Sequence, residues 1–109
     1  MISQPMNGKT HEEIEKQKNK AIKELKSQGY EVVNTLFDSE YYSEDLIKQR
    51  GYSNMGLYFL SQSLMEMSKC DAVYFCSGWE QARGCKIEHE VAKAYGLECL
   101  YEVRKRDNV

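Results

Sequence analysis

Few residue types that announce a specialised chemistry are plentiful in this chain. It has two histidines and four cysteines. Cys70, Cys76, Cys85 and Cys99 form no Cys-x-x-Cys pair and no Cys/His cluster with zinc spacing, which excludes the common structural zinc sites. Cys76 and Cys99 fall in apolar runs and read as small buried residues in a reducing compartment. The one proline is Pro5, and no repeat or low-complexity segment interrupts the chain. No apolar run approaches the ~18–20 residues of a membrane span, and nothing resembles a signal peptide. A formal net charge of −2 gives no electrostatic reason to expect a nucleic-acid polymer or a membrane as partner. The basic cluster Arg104 to Arg106 reads as a frayed tail. A cytoplasmic protein is expected.

What is present is an ordinary globular balance, with 41% hydrophobic and 29% charged residues. Its 109 residues suit one domain, residues 1–109. "MIS" reads as the end of a first strand that looks clipped. Thr10-His11-Glu12-Glu13 has the capping-box form, Ile14, Ala21, Ile22 and Leu25 recur at helical spacing, and Gly29 stops the helix. "YEVVN", Tyr30 to Asn34, reads as a second strand. A short helix is expected around Ser43 to Arg50. A longer one follows from Asn54 to Lys69, with Leu57, Leu60, Leu64 and Met67 on one face. "AVYFC", Ala72 to Cys76, is a continuous apolar run of the kind found in strands covered on both sides. A helix from Ala82 to Tyr95, with Ile87, Val91, Ala92 and Tyr95 inward, ends at Gly96. "LECLY", Leu97 to Tyr101, is the last strand.

This alternation predicts a parallel sheet with helices on both faces. Ligands of such sheets sit beyond the carboxyl ends of the strands. Two loops belong there, Ser3 to Gly8 and Ser77 to Gln81, and both lead into helix N-termini that favour an anion. Neither is a Walker A or Gly-x-Gly-x-x-Gly motif. No Ser/Thr-rich phosphate loop follows the first strand, which argues against an electron carrier.

Glu88 is the candidate catalytic residue. On a helical wheel it neighbours Ile87, Val91 and Gly84, so it borders the packed face. A dipole-complementing acid is one reading. The other follows from the lean of helical side chains toward the helix start, which aims the carboxylate at the mouth of the sheet. There it is expected to be ionised, with the helix dipole and Arg83 outweighing the apolar neighbours, and to attack a sugar carbon. His11, His89 and Glu90 read as surface residues. Trp79 is either a cap over the core or a stacking platform for a ligand ring. Arg83 is either a solvated charge or, with the helix N-terminus, a phosphate site. Tyr41, Tyr42, Tyr52 and Tyr58 offer surface for a homodimer or larger assembly, with a lid the alternative for Tyr41 and Tyr42.

"ISQPMNG" and "KCDAVYFCSGWEQARGCKIEHEVAKAYG" resemble the nucleoside 2-deoxyribosyltransferase superfamily, in particular its small phage and bacterial DUF4406-like branch. The resemblance covers nearly the whole chain. It implies a flavodoxin-like three-layer sandwich whose four-stranded parallel sheet has the order 2-1-3-4, with the first strand central. It also implies a homo-oligomer in which a neighbour completes the site. A glutamate four residues after a glycine is the family's nucleophile toward C1′, and Gly84 and Glu88 match that spacing. Met1 falls where those enzymes commonly carry an aromatic residue. Two aspartates of the nucleoside transferases are replaced, by Ala82 and Ser63. With Arg83 beside that gap, the implied substrate is a nucleoside 5′-monophosphate. Ser3, Gln4, Asn7, Gly78, Trp79, Arg83 and Gly84 are the expected substrate contacts, and no metal or cofactor is required. The alternative is a nucleotide sensor or sponge that keeps the pocket without catalysis.

Overall fold

In the computed structural model, residues 1–32 and 44–103 are described. Strand β1 (Ile2–Ser3) leads to helix α1 (His11–Ser27), followed by α2 (Glu44–Gln49) and α3 (Met55–Met67). Strand β2 (Ala72–Phe75), a 3-10 turn (Trp79–Gln81), helix α4 (Arg83–Ala94) and strand β3 (Glu98–Tyr101) complete the order. The strands form one parallel sheet in the order β1-β2-β3.

The expected four-stranded sheet with order 2-1-3-4 is corrected by this finding. The described residues hold three strands, and β2, not the first strand, is central. Tyr30 to Val32, the described part of the expected second strand, is not a strand, and Val33 and Asn34 lie outside the described residues. The backbone offers a reason. The Tyr30 N–H donates to Leu25 O at 3.0 Å, closing the end of α1, so it is not available to a ladder. The Tyr30 hydroxyl donates to the carboxylate of Glu98 on β3, at the edge opposite β1.

Pleating sorts β2 between two cores. Val73 and Phe75, both fully buried, face Met1, Met67 of α3 and Ala92 of α4. Tyr74 and Cys76 face Ala21 and Leu25 of α1. Helices thus cover both faces, which is why the run Ala72 to Cys76 is apolar without alternation.

Helix ends follow local chemistry. Thr10 caps α1 in a reciprocal capping box with Glu13, and the Asn54 side chain accepts from Leu57 N at the start of α3. Gly29 and Gly96, both at positive φ, follow α1 and α4. Inward faces are less faithful to expectation. Leu57, Ile87 and Tyr95 are exposed, Tyr95 by 81%. The buried stripe of α4 is Cys85, Glu88 and Ala92, spaced i, i+3, i+7, and Ile87 sits a quarter-turn away from it. No helix among the described residues is long and apolar enough to cross a membrane.

Candidate functional site

Three buried polar or charged side chains stand out among the described residues: Ser3, Ser63 and Glu88. They come from β1, α3 and α4, and they converge. The Ser3 hydroxyl donates to Glu88 Oε1 at 2.6 Å. The hydroxyls of Ser3 and Ser63 both hydrogen bond toward the carboxylate and favour its charged form. Burial acts in the opposite sense and is the largest influence, so the Glu88 carboxyl lies above the ordinary carboxylate range. The expected dominance of the helix dipole and Arg83 is therefore reversed. Glu88 is 8% exposed and occupies the packed stripe of α4 rather than its border.

Cys85, one turn before Glu88, is buried beside it. Burial pushes its thiol up, the Ser3 hydroxyl lowers it, and the Glu88 charge raises it again. Cys76 lies at the end of β2, where burial pushes its thiol up to about 12. All four cysteines are free thiols.

The two loops expected at the mouth meet there. Gly78 has φ +93°, and a Cβ on it would stand 3.4 Å from Pro5 Cγ. The left-handed backbone favours glycine, while the contact with Pro5 is an ordinary van der Waals one. Glu102, just past β3, holds the second loop in place. Its Oε1 accepts from Ser77 N at 3.0 Å and from Gln17 Nε2 at 3.2 Å, so β3, the loop and α1 are tied at one carboxylate.

The remaining expected contacts divide. Gln4 turns toward α1, its Nε2 donating to Ile14 O at 2.6 Å and Gln17 Oε1 at 3.2 Å, so it braces the loop. Asn7 is exposed in a turn. Arg83 is the first residue of α4 and is exposed, and its Nη2 lies 3.6 Å from where Gly56 of α3 would carry a Cβ. It therefore stands between the N-termini of α3 and α4. Gly84 is exposed, with nothing within 4 Å of where its Cβ would be. Gly84 lies one turn before Glu88 on α4. Trp79 is half-buried and packs against the core. Its ring centroid is 4.2 Å from that of His89, 5.4 Å from Phe75 and 5.8 Å from Tyr101. His89 is correspondingly not a plain surface residue, and its Nε2 lies 2.7 Å from the Tyr101 hydroxyl.

Sequence reasoning named Ser63 only as the replacement of an aspartate. Its spacing from Met67, one turn along the same face, was the available sign that it turns inward. Nothing in the sequence joined Glu102 to Ser77, because that contact spans 25 residues.

A family model described as "Domain of unknown function (DUF4406)" matches residues 1–101. The chain belongs to this family. The DUF4406 match spans β1 through β3, and so includes every residue that meets at the Glu88 carboxylate. Among curated proteins and among solved structures, nothing matches.

Proposed function

We propose that this DUF4406 protein cleaves the N-glycosidic bond of a (deoxy)nucleoside 5′-monophosphate, with Glu88 as nucleophile. The observation that carries the reading is a buried carboxylate at the carboxyl end of a parallel sheet. Hydroxyls from two other elements hold it, and the exposed Gly84 lies one turn before it on α4. A carboxylate oxygen forms an ester bond to C1′ as the C1′–N bond breaks, and the bonding pair leaves with the base, which takes a proton from water. Attack on C1′ by water regenerates the carboxylate and releases the sugar phosphate. Attack by a second base transfers the sugar instead. Arg83 and the start of α4, where Ala82 provides no side-chain cap, supply cationic character suited to the 5′-phosphate.

The resemblance to nucleoside 2-deoxyribosyltransferases supports the same chemistry, and with it a homodimer or larger assembly in the cytoplasm. The second reading is a nucleotide-binding protein without turnover. It is favoured by Ala82 and Ser63 standing where the nucleoside transferases carry aspartates. One experiment separates the two. Wild-type protein and Glu88→Gln are incubated with a panel of deoxynucleoside 5′-monophosphates, and free base is followed by chromatography. Base release by the wild type alone is the expected result. Release that is absent throughout, or equal in the variant, removes Glu88 from the chemistry, and tight binding without release then establishes the sensor or sponge.

A further inference from the structure

We infer that Ser3 is a positioning residue: its hydroxyl fixes Oε1 of Glu88 and so sets the rotation of the carboxylate that attacks C1′. The terminal torsion of a glutamate is broad and roughly two-fold, so an unrestrained carboxylate presents either oxygen over a wide arc. Here one oxygen is engaged by a 2.6 Å hydrogen bond, the length of a charge-assisted O–H···O⁻ contact.

The donor stands on a strand, not on the mobile part of a loop. Ser3 pairs with Phe75 in the sheet, and its carbonyl accepts from Cys76 N at 2.9 Å. Its own exposure is 2%, so the hydroxyl has no solvent with which to exchange the bond. A group aimed from a paired strand holds its target more closely than one aimed from a loop. Ser63 approaches the same carboxylate from α3, and Cys85 of α4 packs against the Ser3 hydroxyl. These are the neighbours that act on Glu88 from the three elements around it, with the charge of Lys9 reaching Cys85 from the first loop. Ser3 therefore belongs to the nucleophile's support and not to the substrate contacts expected of it.

The catalytic half of this inference rests on Glu88 being the nucleophile, while the positioning half is measured without turnover. The Glu88 carboxyl is titrated by carbon NMR in glutamate-labelled full-length protein, with Glu88→Gln identifying its resonance. Loss of a hydrogen bond to the charged form raises a carboxyl pKa. Ser3→Ala is expected to displace the Glu88 midpoint to higher pH, and Ser3→Thr, which keeps the hydroxyl, is expected to bring it back. An unmoved midpoint in Ser3→Ala overturns the inference. Should Ser3→Ala fail to fold, Ser3→Cys under reductant is read instead: a partial displacement supports the role and none overturns it. In the base-release assay, Ser3→Ala is expected to lower kcat by roughly tenfold or more, as for loss of one hydrogen bond to a charged group. KM should stay nearly unchanged, and the acid limb of the pH profile should move with the NMR midpoint. A fall confined to KM overturns positioning. A wild type that releases no base defeats the catalytic reading and leaves the titration to decide the placement of Oε1.

Discussion

Glu88→Gln is expected to make the protein more stable at pH 7 while removing its chemistry. The wild-type side chain holds a carboxylate in a site that is 8% exposed, and burial raises its pKa above the ordinary carboxylate value. Between the unfolded and the folded pKa the native state binds the proton that the unfolded chain has released. Stability therefore falls as pH rises through that window, and the favourable contribution is complete only below the unfolded value. Glutamine keeps the shape, offers its carbonyl to the Ser3 hydroxyl, and carries no charge to desolvate. The gain expected on removing such a functional group is about 1 kcal/mol, within the common range of stability–activity trade-offs. For a domain of this size, that corresponds to roughly 4 °C in Tm. Urea denaturation of both proteins from pH 4 to pH 8 tests it. The variant should lead at pH 7, and the two curves should converge as pH falls toward the ordinary carboxylate range. A variant less stable than wild type at pH 7, or a gap that does not change with pH, refutes the reasoning that burial dominates at Glu88.

Gly78→Ala should destabilise the fold by about 1–2 kcal/mol, because a side chain at φ +93° is strained. A thermal melt reads this directly, and an unchanged Tm would contradict the left-handed backbone at Gly78. Arg83→Ala should weaken a nucleoside 5′-monophosphate by roughly tenfold, the scale of a charge-assisted contact, and leave the nucleoside unaffected. Calorimetry with the matched pair measures the difference, and equal losses for both would place Arg83 away from the phosphate. Thiol labelling of the native protein at pH 8 should spare Cys76 and Cys85, which are 0% and 5% exposed, until urea unfolds the chain. Rapid native modification of Cys85 would show that the pocket around Ser3 and Glu88 is open to reagent.

The helix boundaries were legible because the signals that set them are local. The Thr10–Glu13 capping box, the Asn54 cap and the glycines at 29 and 96 each act within one turn of the chain. The central strand was legible because burial on both faces removes alternation. The expected second strand failed for the converse reason. A β-branched, apolar string such as "YEVVN" specifies a strand only when a partner accepts its hydrogen bonds, and Tyr30 gives its amide to α1. Glu88 stands out in the sequence by its place near the start of α4 beside the apolar stripe, yet the depth of its burial is not legible there. Helix position and a nearby arginine can be read from sequence, whereas depth of burial depends on how α3 and β1 close over α4. For the same reason Ser63 was recognised only as a missing aspartate. Its inward aim is a fact of packing between α3 and α4.

Gly84 occupies a helical position where any side chain would fit. Alanine there would meet nothing within 4 Å and would gain the ~0.5–1 kcal/mol that glycine forfeits inside a helix. The fold itself therefore gives no steric reason for the missing methyl group. Under the proposed function, the demand comes from the solvent side, where the substrate has to arrive. Replacing Gly84 by alanine, serine and leucine would then tighten the helix and narrow the approach in graded steps, with Tm and nucleotide affinity moving in opposite directions. Under that proposal the position works as a valve: its bore can be set by side-chain volume while the wall around it only becomes firmer.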